Sequence, residues 1–266
     1  MNWTSRAARR SAFTLIELLI VILIIAILAS MSVPAALRVL ERTREVGARH
    51  EISQLAQALG AFKAKFGEYP PSRVDLSGGD PVSAAFLRRC WPRMRPGALG
   101  TGVLQSDQVL VFFLGGKQGG TSRNGSCYGF SDDPQNPFNP VGLGNIRPFY
   151  EFRSDRLVDV RGNGFFSYID YYNNPINPMP YIYFATDPRM GNSYVPASAF
   201  GVSPYYSVPS PIRFINADSF QIICAGADGR FGPGGLYQPA VGVPNGTPGW
   251  DDLANFHPNK LGIPSN

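Results

Sequence analysis

The pattern of apolar and polar positions divides the chain into an N-terminal helical part and a longer body. Residues 13–33, FTLIELLIVILIIAILASMSV, form an apolar run in which Glu17 is the single charged side chain. At about 1.5 Å per residue, a helix of this length measures about 31 Å, which is enough to cross the hydrocarbon core of a bilayer. The run is longer than the apolar core of a secretory signal peptide, so we expect it to remain in the mature protein.

The following segment is predicted to continue the same helix. Charged residues between positions 38 and 51 indicate the passage from lipid into water: Arg38, Glu41, Arg42, Arg44, Glu45, Arg49 and Glu51. An apolar stripe follows at helical spacing, formed by Ile52, Leu55, Leu59, Phe62 and Phe66. The pattern predicts one helix over residues 14–66, with 13–33 as its transmembrane and assembly half and 34–66 as its amphipathic half. Pro34 marks a candidate kink where the helix leaves the membrane.

Residues 67–266 have the pattern of a loop-rich β domain. Short runs of aromatic and β-branched residues alternate with turn signals, among them several Asn-Pro steps. The predicted strands are 109–114, 149–152, 157–160, 165–169, 181–185 and 220–224. Together with the long helix, they predict an α+β fold in which the amphipathic half of the helix packs on an antiparallel β-sheet and the C-terminal region, with loop 225–256, is rich in loops.

Composition and charge narrow the possible classes of protein. The chain has 29 Gly, 24 Pro and 12% aromatic residues, which fits a loop-rich body, and its 16% charged residues argue against a disordered tail. The formal charge of +5 falls to +2 without residues 1–12, because Arg6, Arg9 and Arg10 lie there. A nearly neutral mature chain lacks the basic footprint that nucleic-acid binding needs, so we expect no nucleic-acid partner.

The cysteines do not indicate a metal centre. Cys90, Cys127 and Cys224 are far apart in sequence and form no CxxC pair, and His50 and His257 are the only histidines. Zinc is therefore not expected. In an oxidising compartment any two of the three cysteines could form a disulfide and leave one free thiol.

The N-terminal segment resembles the processing signal of type IV pilin-like proteins. A short basic leader over residues 1–12 ends in the small residue Ala12, with Phe13 at the first mature position, Glu17 at the fifth and Pro34 at the twenty-second. The family prefers glycine where this chain has Ala12. The resemblance implies that a prepilin peptidase cuts between Ala12 and Phe13 and that the amine of Phe13 is methylated.

The same resemblance implies a place and partners for the mature chain. It would sit in the inner membrane with one span and its body in the periplasm, and would self-associate into a filament through the N-terminal helix. The implied partners are the prepilin peptidase, a cytoplasmic ATPase, an inner-membrane platform protein and other pseudopilins.

Glu17 is a candidate assembly residue on physical grounds as well. A carboxylate inside an apolar span costs roughly 2.5–3.5 kcal/mol on insertion scales and normally marks a function and a partner. In a stack of such helices, the new α-amino group of Phe13 in a neighbouring copy can pair with it. The alternative is that Glu17 lies near the headgroups at the helix start, where an acidic residue suits the helix dipole.

A second motif lies near the C-terminus. The segment AGADGRFG at 225–232, followed by an acidic pair and an Asn-aromatic step, is similar to the C-terminal region of major pseudopilins of the type II secretion system. The resemblance implies a calcium site with side-chain ligands Asp228, Asp251 and Asp252 and the backbone carbonyl of Ala225. Insertion 233–250 is longer than the loop of that family. The alternative is a set of ordinary turns with the acidic pair as an exposed helix cap.

The sequence therefore predicts a structural, non-enzymatic pseudopilin of a type II secretion pseudopilus or a related type IV filament. One alternative is a minor or surface pilin whose enlarged body, residues 71–215, binds a partner or surface. An alternative of another class is a membrane-anchored periplasmic hydrolase. For that reading the candidate acids are Asp155, Asp159 and Asp170, and neither histidine belongs to a convincing triad.

Overall fold

The computed structural model describes residues 13–139, 145–187, 193–194 and 200–265. The leader, with Ala12, lies outside the described residues. The chain divides between Thr43 and Arg44 into two compact units, which are described separately. The predicted α+β fold is confirmed, since a long N-terminal helix is followed by small, mostly antiparallel sheets.

The helices are α1 (Leu15–Phe66), α2 (Pro81–Cys90) and α3 (Ser106–Gly115), with a 3-10 turn at Ser154–Arg156. The strands are β1 (Val74–Asp75), β2 (Val103–Leu104), β3 (Gln118–Thr121), β4 (Asn124–Cys127), β5 (Phe130–Ser131), β6 (Asn145–Ile146), β7 (Leu157–Val158), β8 (Ser167–Tyr168), β9 (Ile182–Asp187), β10 (Ser193–Tyr194), β11 (Tyr205–Pro209), β12 (Ile212–Phe214), β13 (Phe220–Cys224), β14 (Gly235–Leu236) and β15 (Leu253–Ala254).

The central sheet has the strand order β10-β9-β13-β15, and all its pairs are antiparallel. Its two faces belong to different hydrophobic clusters. Tyr183 and Ile222 lie opposite each other and face the larger cluster, whereas Phe184 and Ile223 face the smaller one. Because a strand directs successive side chains to opposite faces, burial on both faces explains why β13 is an unbroken buried run.

A second sheet has the order β12-β11-β14, in which β11 and β14 run parallel. Strand pairs β1–β2, β3–β4, β5–β6 and β7–β8 complete the described sheets. Strands β11 and β14 carry Tyr205 and Leu236, which line a hollow in the body.

The part of α1 that belongs to the second unit contributes one face to the larger cluster. Buried positions recur at helical spacing: Ala48, Ile52, Leu55, Leu59 and Phe62. The ring of Phe62 lies 5.4 Å from that of Phe149 and 6.0 Å from that of Phe113. The helix ends where Gly67 adopts φ +87° and donates its N–H to the carbonyl of Lys63 at 2.7 Å.

The first unit consists, in its described residues, of the N-terminal part of α1. Its large apolar side chains are exposed on all sides, from 45% for Val21 to 83% for Leu15. Among the described residues, no helix is both long enough and apolar enough to qualify as membrane-spanning.

Two predicted strands are wrong. The run 109–114 lies in α3, every residue of which is buried, and no strand is present over 149–152. A short, wholly buried apolar run has no polar face, so its periodicity does not distinguish a helix from a strand. Gln108 favours the helix because its side-chain Oε1 accepts the N–H of Gln105 at 3.2 Å. Phe149 instead packs against the larger cluster, and its N–H donates to the carbonyl of Leu114 at 2.8 Å.

The remaining four predicted strands correspond to β7, β8, β9 and β13. The open disulfide alternative is not realised, because all three cysteines are free thiols. Burial raises the pKa of Cys90 and of Cys127 to about 12 in each case.

Candidate functional site

The start of α1 carries a hydrogen-bonded cap built from two of the residues around the predicted processing point. Glu17 Oε2 accepts the backbone N–H of Thr14 at 2.9 Å and its hydroxyl at 2.8 Å. In return, the Thr14 hydroxyl accepts the N–H of Glu17 at 3.3 Å. This reciprocal pattern is a capping box, which satisfies N–H groups that a helix start otherwise leaves unpaired.

The cap uses only part of the Glu17 carboxylate. Within the described part of the chain, both hydrogen bonds to this side chain go to Oε2, and none goes to Oε1. Phe13 directly precedes Thr14 and is 74% exposed. Both predicted assembly groups therefore lie uncovered at the helix start. Pro34 lies within α1, and its side chain is outside what the structure describes.

Of the predicted calcium residues, Ala225 and Asp228 lie in the loop 225–232, and Asp251 and Asp252 lie against it. Asp251 Oδ2 accepts the N–H groups of Ala227 at 2.6 Å and Asp228 at 3.1 Å, and Asp252 Oδ2 accepts that of Gly232 at 2.9 Å. The carboxylates thus hold the loop by direct hydrogen bonds. The loop backbone comes close to Asp251 at Gly226, which has φ +70°. A Cβ at this position would lie 2.4 Å from the carbonyl oxygen of Asp251.

The carboxylates of this loop differ in their surroundings. Asp252 is completely buried, and its Oδ1 has no hydrogen-bond partner among the described residues. Burial, followed by the nearby charges of Asp251 and Asp228, raises the pKa of Asp252 well above its ordinary value. Asp228 is exposed, and its Oδ1 accepts the N–H of Arg230 at 2.8 Å. Partial desolvation of the carboxylate, followed by the nearby charge of Asp251, raises the pKa of Asp228.

In the described ranges, no group of three or more His, Cys, Asp or Glu side chains is arranged to hold a metal ion. The predicted backbone ligand Ala225 is fully buried at the end of β13, next to Gly226. Calcium binding by these residues stays a prediction.

The sequence analysis missed a buried polar cluster around Glu51. Glu51 was assigned to the charged surface where the helix leaves the membrane, and this is wrong, because it is only 6% exposed. Its Oε1 accepts Arg156 Nη1 at 2.8 Å and its Oε2 accepts Arg156 Nη2 at 2.6 Å. The hydroxyls of Tyr168 at 2.9 Å and Tyr181 at 2.6 Å also donate to it. We call Glu51, Arg156, Tyr168 and Tyr181 the Glu51 cluster.

The signal for the Glu51 cluster was present in the helical spacing. Glu51 lies three residues after Ala48 and four before Leu55, both of which are completely buried on the same face. A charged residue at such a position must have a partner, because an unpaired buried charge is very costly. Burial lowers the pKa of Arg156, but its hydrogen bonds to Glu51 and the negative charge of that carboxylate together outweigh this effect and keep the pKa above its ordinary value.

The acids considered for a hydrolase are each engaged by other groups of the body. Asp155 pairs with Arg153 at 2.8 Å, and Asp159 accepts the N–H of Gly164 at 2.8 Å. Asp170 is buried and accepts the thiol of Cys224 at 3.3 Å. The two histidines also lie in different places: His50 is exposed on α1, and His257 is buried with its Nδ1 2.9 Å from the carbonyl of Asn259.

Comparison with known proteins gives a match at the N-terminus. Residues 7–33 match the family described as the prokaryotic N-terminal methylation motif. The matched stretch contains the predicted cleavage point between Ala12 and Phe13, together with Glu17. Neither the curated proteins nor the solved structures give a significant match to this chain. At its N-terminus the chain is therefore type IV pilin-like, since it carries the prepilin signal of pilins and pseudopilins.

Proposed function

We propose that this chain is a structural subunit of a type II secretion pseudopilus or a related type IV pilus-like filament. The observation that carries the proposal is the prepilin signal at residues 7–33, together with the N-terminal part of α1, whose large apolar side chains are exposed on every side. Such a surface is stable only when lipid or other copies of the chain cover it. A filament subunit has this surface covered at both stages, by lipid in the inner membrane and by neighbouring copies in the assembled filament.

In this proposal, processing and assembly share one end of α1. A prepilin peptidase cuts between Ala12 and Phe13, and the new amine of Phe13 is methylated. The amine then pairs with Glu17 of a neighbouring copy, while the body lies in the periplasm. The free Oε1 of Glu17 favours this arrangement, because the carboxylate can accept the amine without giving up its bonds to Thr14. The platform protein and the other pseudopilins would act on this same segment.

The charge of Glu17 can be tested apart from its capping role. Glutamine at the same position still completes a capping box, so Glu17→Gln removes the charge and keeps the cap. Thr14→Val is the matched control, because it removes the hydroxyl's two hydrogen bonds in the cap and keeps the charge. Co-expression with a prepilin peptidase should shorten wild type and both variants by 12 residues, as read by mass spectrometry. Filament yield should then fall sharply for Glu17→Gln and much less for Thr14→Val.

Two results would contradict the proposal. A wild-type chain that still begins at Met1 in the presence of the peptidase would refute processing. Equal filament yields from Glu17→Gln and wild type would refute the role of the charge in assembly.

We propose separately that calcium binds at the loop 225–232. The supporting observation is Asp252 Oδ1, a completely buried carboxylate oxygen without a partner among the described residues. Carboxylate and carbonyl oxygens are the ligands that Ca²⁺ prefers. Asp228, Asp251 and Asp252, with the carbonyl of Ala225, would hold the ion, and the ion would neutralise their mutual repulsion.

Thermal unfolding of the full chain in detergent tests this second proposal. A free calcium concentration one hundred times its dissociation constant adds about 2.7 kcal/mol to the unfolding free energy, which raises the midpoint by roughly 5–10 °C for a body of this size. Asp252→Asn should lose the increase, whereas Asp155→Ala, at an exposed acid, should keep it. An identical wild-type midpoint in calcium and in chelator would remove the proposal.

A further inference from the structure

The body carries an uncharged hollow whose use the proposed function does not explain. It has a volume of about 610 Å³, and its walls include Tyr205, Phe231, Leu236, Tyr237 and Val243. None of the lining residues that the structure describes carries a charge. The volume lies within the range of sites that bind ligands or side chains of a partner. Most of the wall comes from the insertion 233–250 and the strands that hold it.

Strand pairing, a ring contact and a backbone hydrogen bond hold the walls of the hollow. Strand β11 pairs with β14, so that Tyr206 lies opposite Leu236, and the rings of Tyr205 and Tyr237 are 5.7 Å apart. The N–H of Val243 is bound to the carbonyl of Leu261 at 2.9 Å. A partner entering the hollow therefore has few side chains or loops to immobilise, which lowers the entropic cost of binding.

The same body also carries an apolar side chain that is exposed on an uncharged loop and could enter such a hollow. Ile176 is 93% exposed, more than any other large apolar side chain of the described body residues. It lies in the uncharged segment 173–180, NNPINPMP. We call this segment the Ile176 tip. A single exposed apolar residue needs no explanation by itself, but this one is held outward by a fixed loop.

Two asparagines fix the Ile176 tip. Asn174 Oδ1 accepts the N–H groups of Ile176 at 2.9 Å and Asn177 at 3.2 Å. The side-chain amides of Asn174 and Asn177 donate to the carbonyls of Ala227 at 3.0 Å and Gly229 at 2.6 Å. The tip is therefore preorganised, like the hollow, and both surfaces can meet without removing any charge from water.

From these features we infer that the Ile176 tip of one copy inserts into the hollow of a neighbouring copy. The inference rests on the proposed filament, because only assembly supplies neighbours at a high local concentration. Burying one isoleucine contributes about 1.5–3 kcal/mol, which is less than the cost of bringing two free proteins together. Helices that already hold the bodies at millimolar effective concentration remove most of that cost. The contact joins two different surfaces, so it can repeat from copy to copy along the filament.

Cross-linking between two differently tagged full-length chains tests the contact. One chain carries Ile176→Cys and the other Leu236→Cys, a 49% exposed residue of the hollow. The control partner carries Val241→Cys, a 64% exposed residue of the same insertion outside the lining. In filaments treated with a short bismaleimide, we expect the hollow pair to give at least fivefold more mixed dimer than the control pair. Chains with only the native cysteines set the background.

The outcomes separate this inference from the proposed function. Filaments that form normally but give equal cross-linking from the two pairs, or none above background, overturn the inference alone. A wild-type chain that forms no filament with its complete assembly system overturns the proposed function, and the inference falls with it. Ile176→Asp gives a second measure, because we expect it to leave processing and the unfolding midpoint unchanged while filament yield falls several-fold. An unchanged filament yield for this variant also contradicts the contact.

Discussion

Removing the Glu51 side chain should destabilise the body more than removing any exposed acid on α1. Glu51→Ala leaves the guanidinium of Arg156, which is 5% exposed, without its counter-charge. The variant also removes the acceptor of the Tyr168 and Tyr181 hydroxyls. Among the described residues, the hydrogen bonds left to the Arg156 side chain go to the carbonyl of Ile169, from Nε at 2.9 Å and from Nη2 at 2.6 Å.

The expected loss in unfolding free energy follows from the burial of Arg156 and from the number of hydrogen bonds that Glu51 accepts. Breaking a buried ion pair by removing one partner costs about 3–5 kcal/mol, since the remaining charge stays buried and unpaired. The unpaired tyrosine hydroxyls contribute to the same loss, at about 1–3 kcal/mol for each that stays buried without a partner. We therefore expect a loss of at least about 3 kcal/mol in unfolding free energy. For a body of this size, this lowers the thermal midpoint by roughly 6–12 °C.

Denaturant unfolding of the full chain in detergent, followed by tryptophan fluorescence, measures the effect. Glu45→Ala is the matched control, because Glu45 lies on the same helix, is partly exposed, and forms ion pairs with Arg49 and Lys260. We expect its cost to stay below about 1 kcal/mol.

A double-mutant cycle identifies the source of the loss. Glu51→Leu combined with Arg156→Met removes both charges and should recover much of the stability that Glu51→Leu alone loses. A cost below about 1 kcal/mol for Glu51→Ala would refute the reasoning, and so would strictly additive effects in the cycle.

Three further changes test other parts of the body. Burial raises the pKa of Asp170 from 3.8 to about 6, so the folded chain holds this proton more tightly than the unfolded chain and loses up to about 3 kcal/mol of stability as the pH rises from 4 to 7. Asp170→Asn should therefore gain stability relative to wild type over that interval in denaturant titrations, and parallel pH profiles would exclude this effect. Gly226→Ala should cost at least about 1–3 kcal/mol, because it forces φ +70° on alanine and brings its Cβ against Asp251, and a neutral result would show that the loop can shift. Gly60→Ala, at an exposed and open position of α1, should stabilise the chain by about 0.5–1 kcal/mol in the same assay, and a loss would contradict the helical assignment there.

The parts of the fold that could be predicted are those with one clear periodicity. Helix α1 has an apolar stripe at steps of three and four residues, and Gly67 marks its end. Strand β13 is a short apolar run rich in isoleucine and bounded by turns, and it was predicted with its observed bounds. Both depend on local sequence alone.

Two helices of the body were not predicted from the sequence. Helix α3 is buried on all sides, so its sequence lacks the polar face that identifies a helix. Helix α2 went unpredicted although Asp80 caps it, with Oδ2 accepting the N–H of Ser83 at 2.9 Å, and Pro81 occupies its first turn. The Asp-Pro step there was a readable helix start.

The residues of the candidate site also differ in whether local sequence can predict them. Glu17 stands out in sequence because it is the only charge in an apolar run, and the capping role of Thr14 follows from its spacing. The partner of Glu51 could not be found in this manner, since Arg156 lies 105 positions away and only the folded chain brings the two together.

The bond between Gly232 and Asp252 ties together the two ends of the insertion 233–250. A segment anchored at its base is free to vary in length, because each doubling of a flexible loop costs only about 0.6 kcal/mol in closure entropy. Grafting a shorter or chemically different segment onto this base should leave the central sheet intact. The insertion is thus an exchangeable module, through which chains sharing one framework can acquire different surfaces.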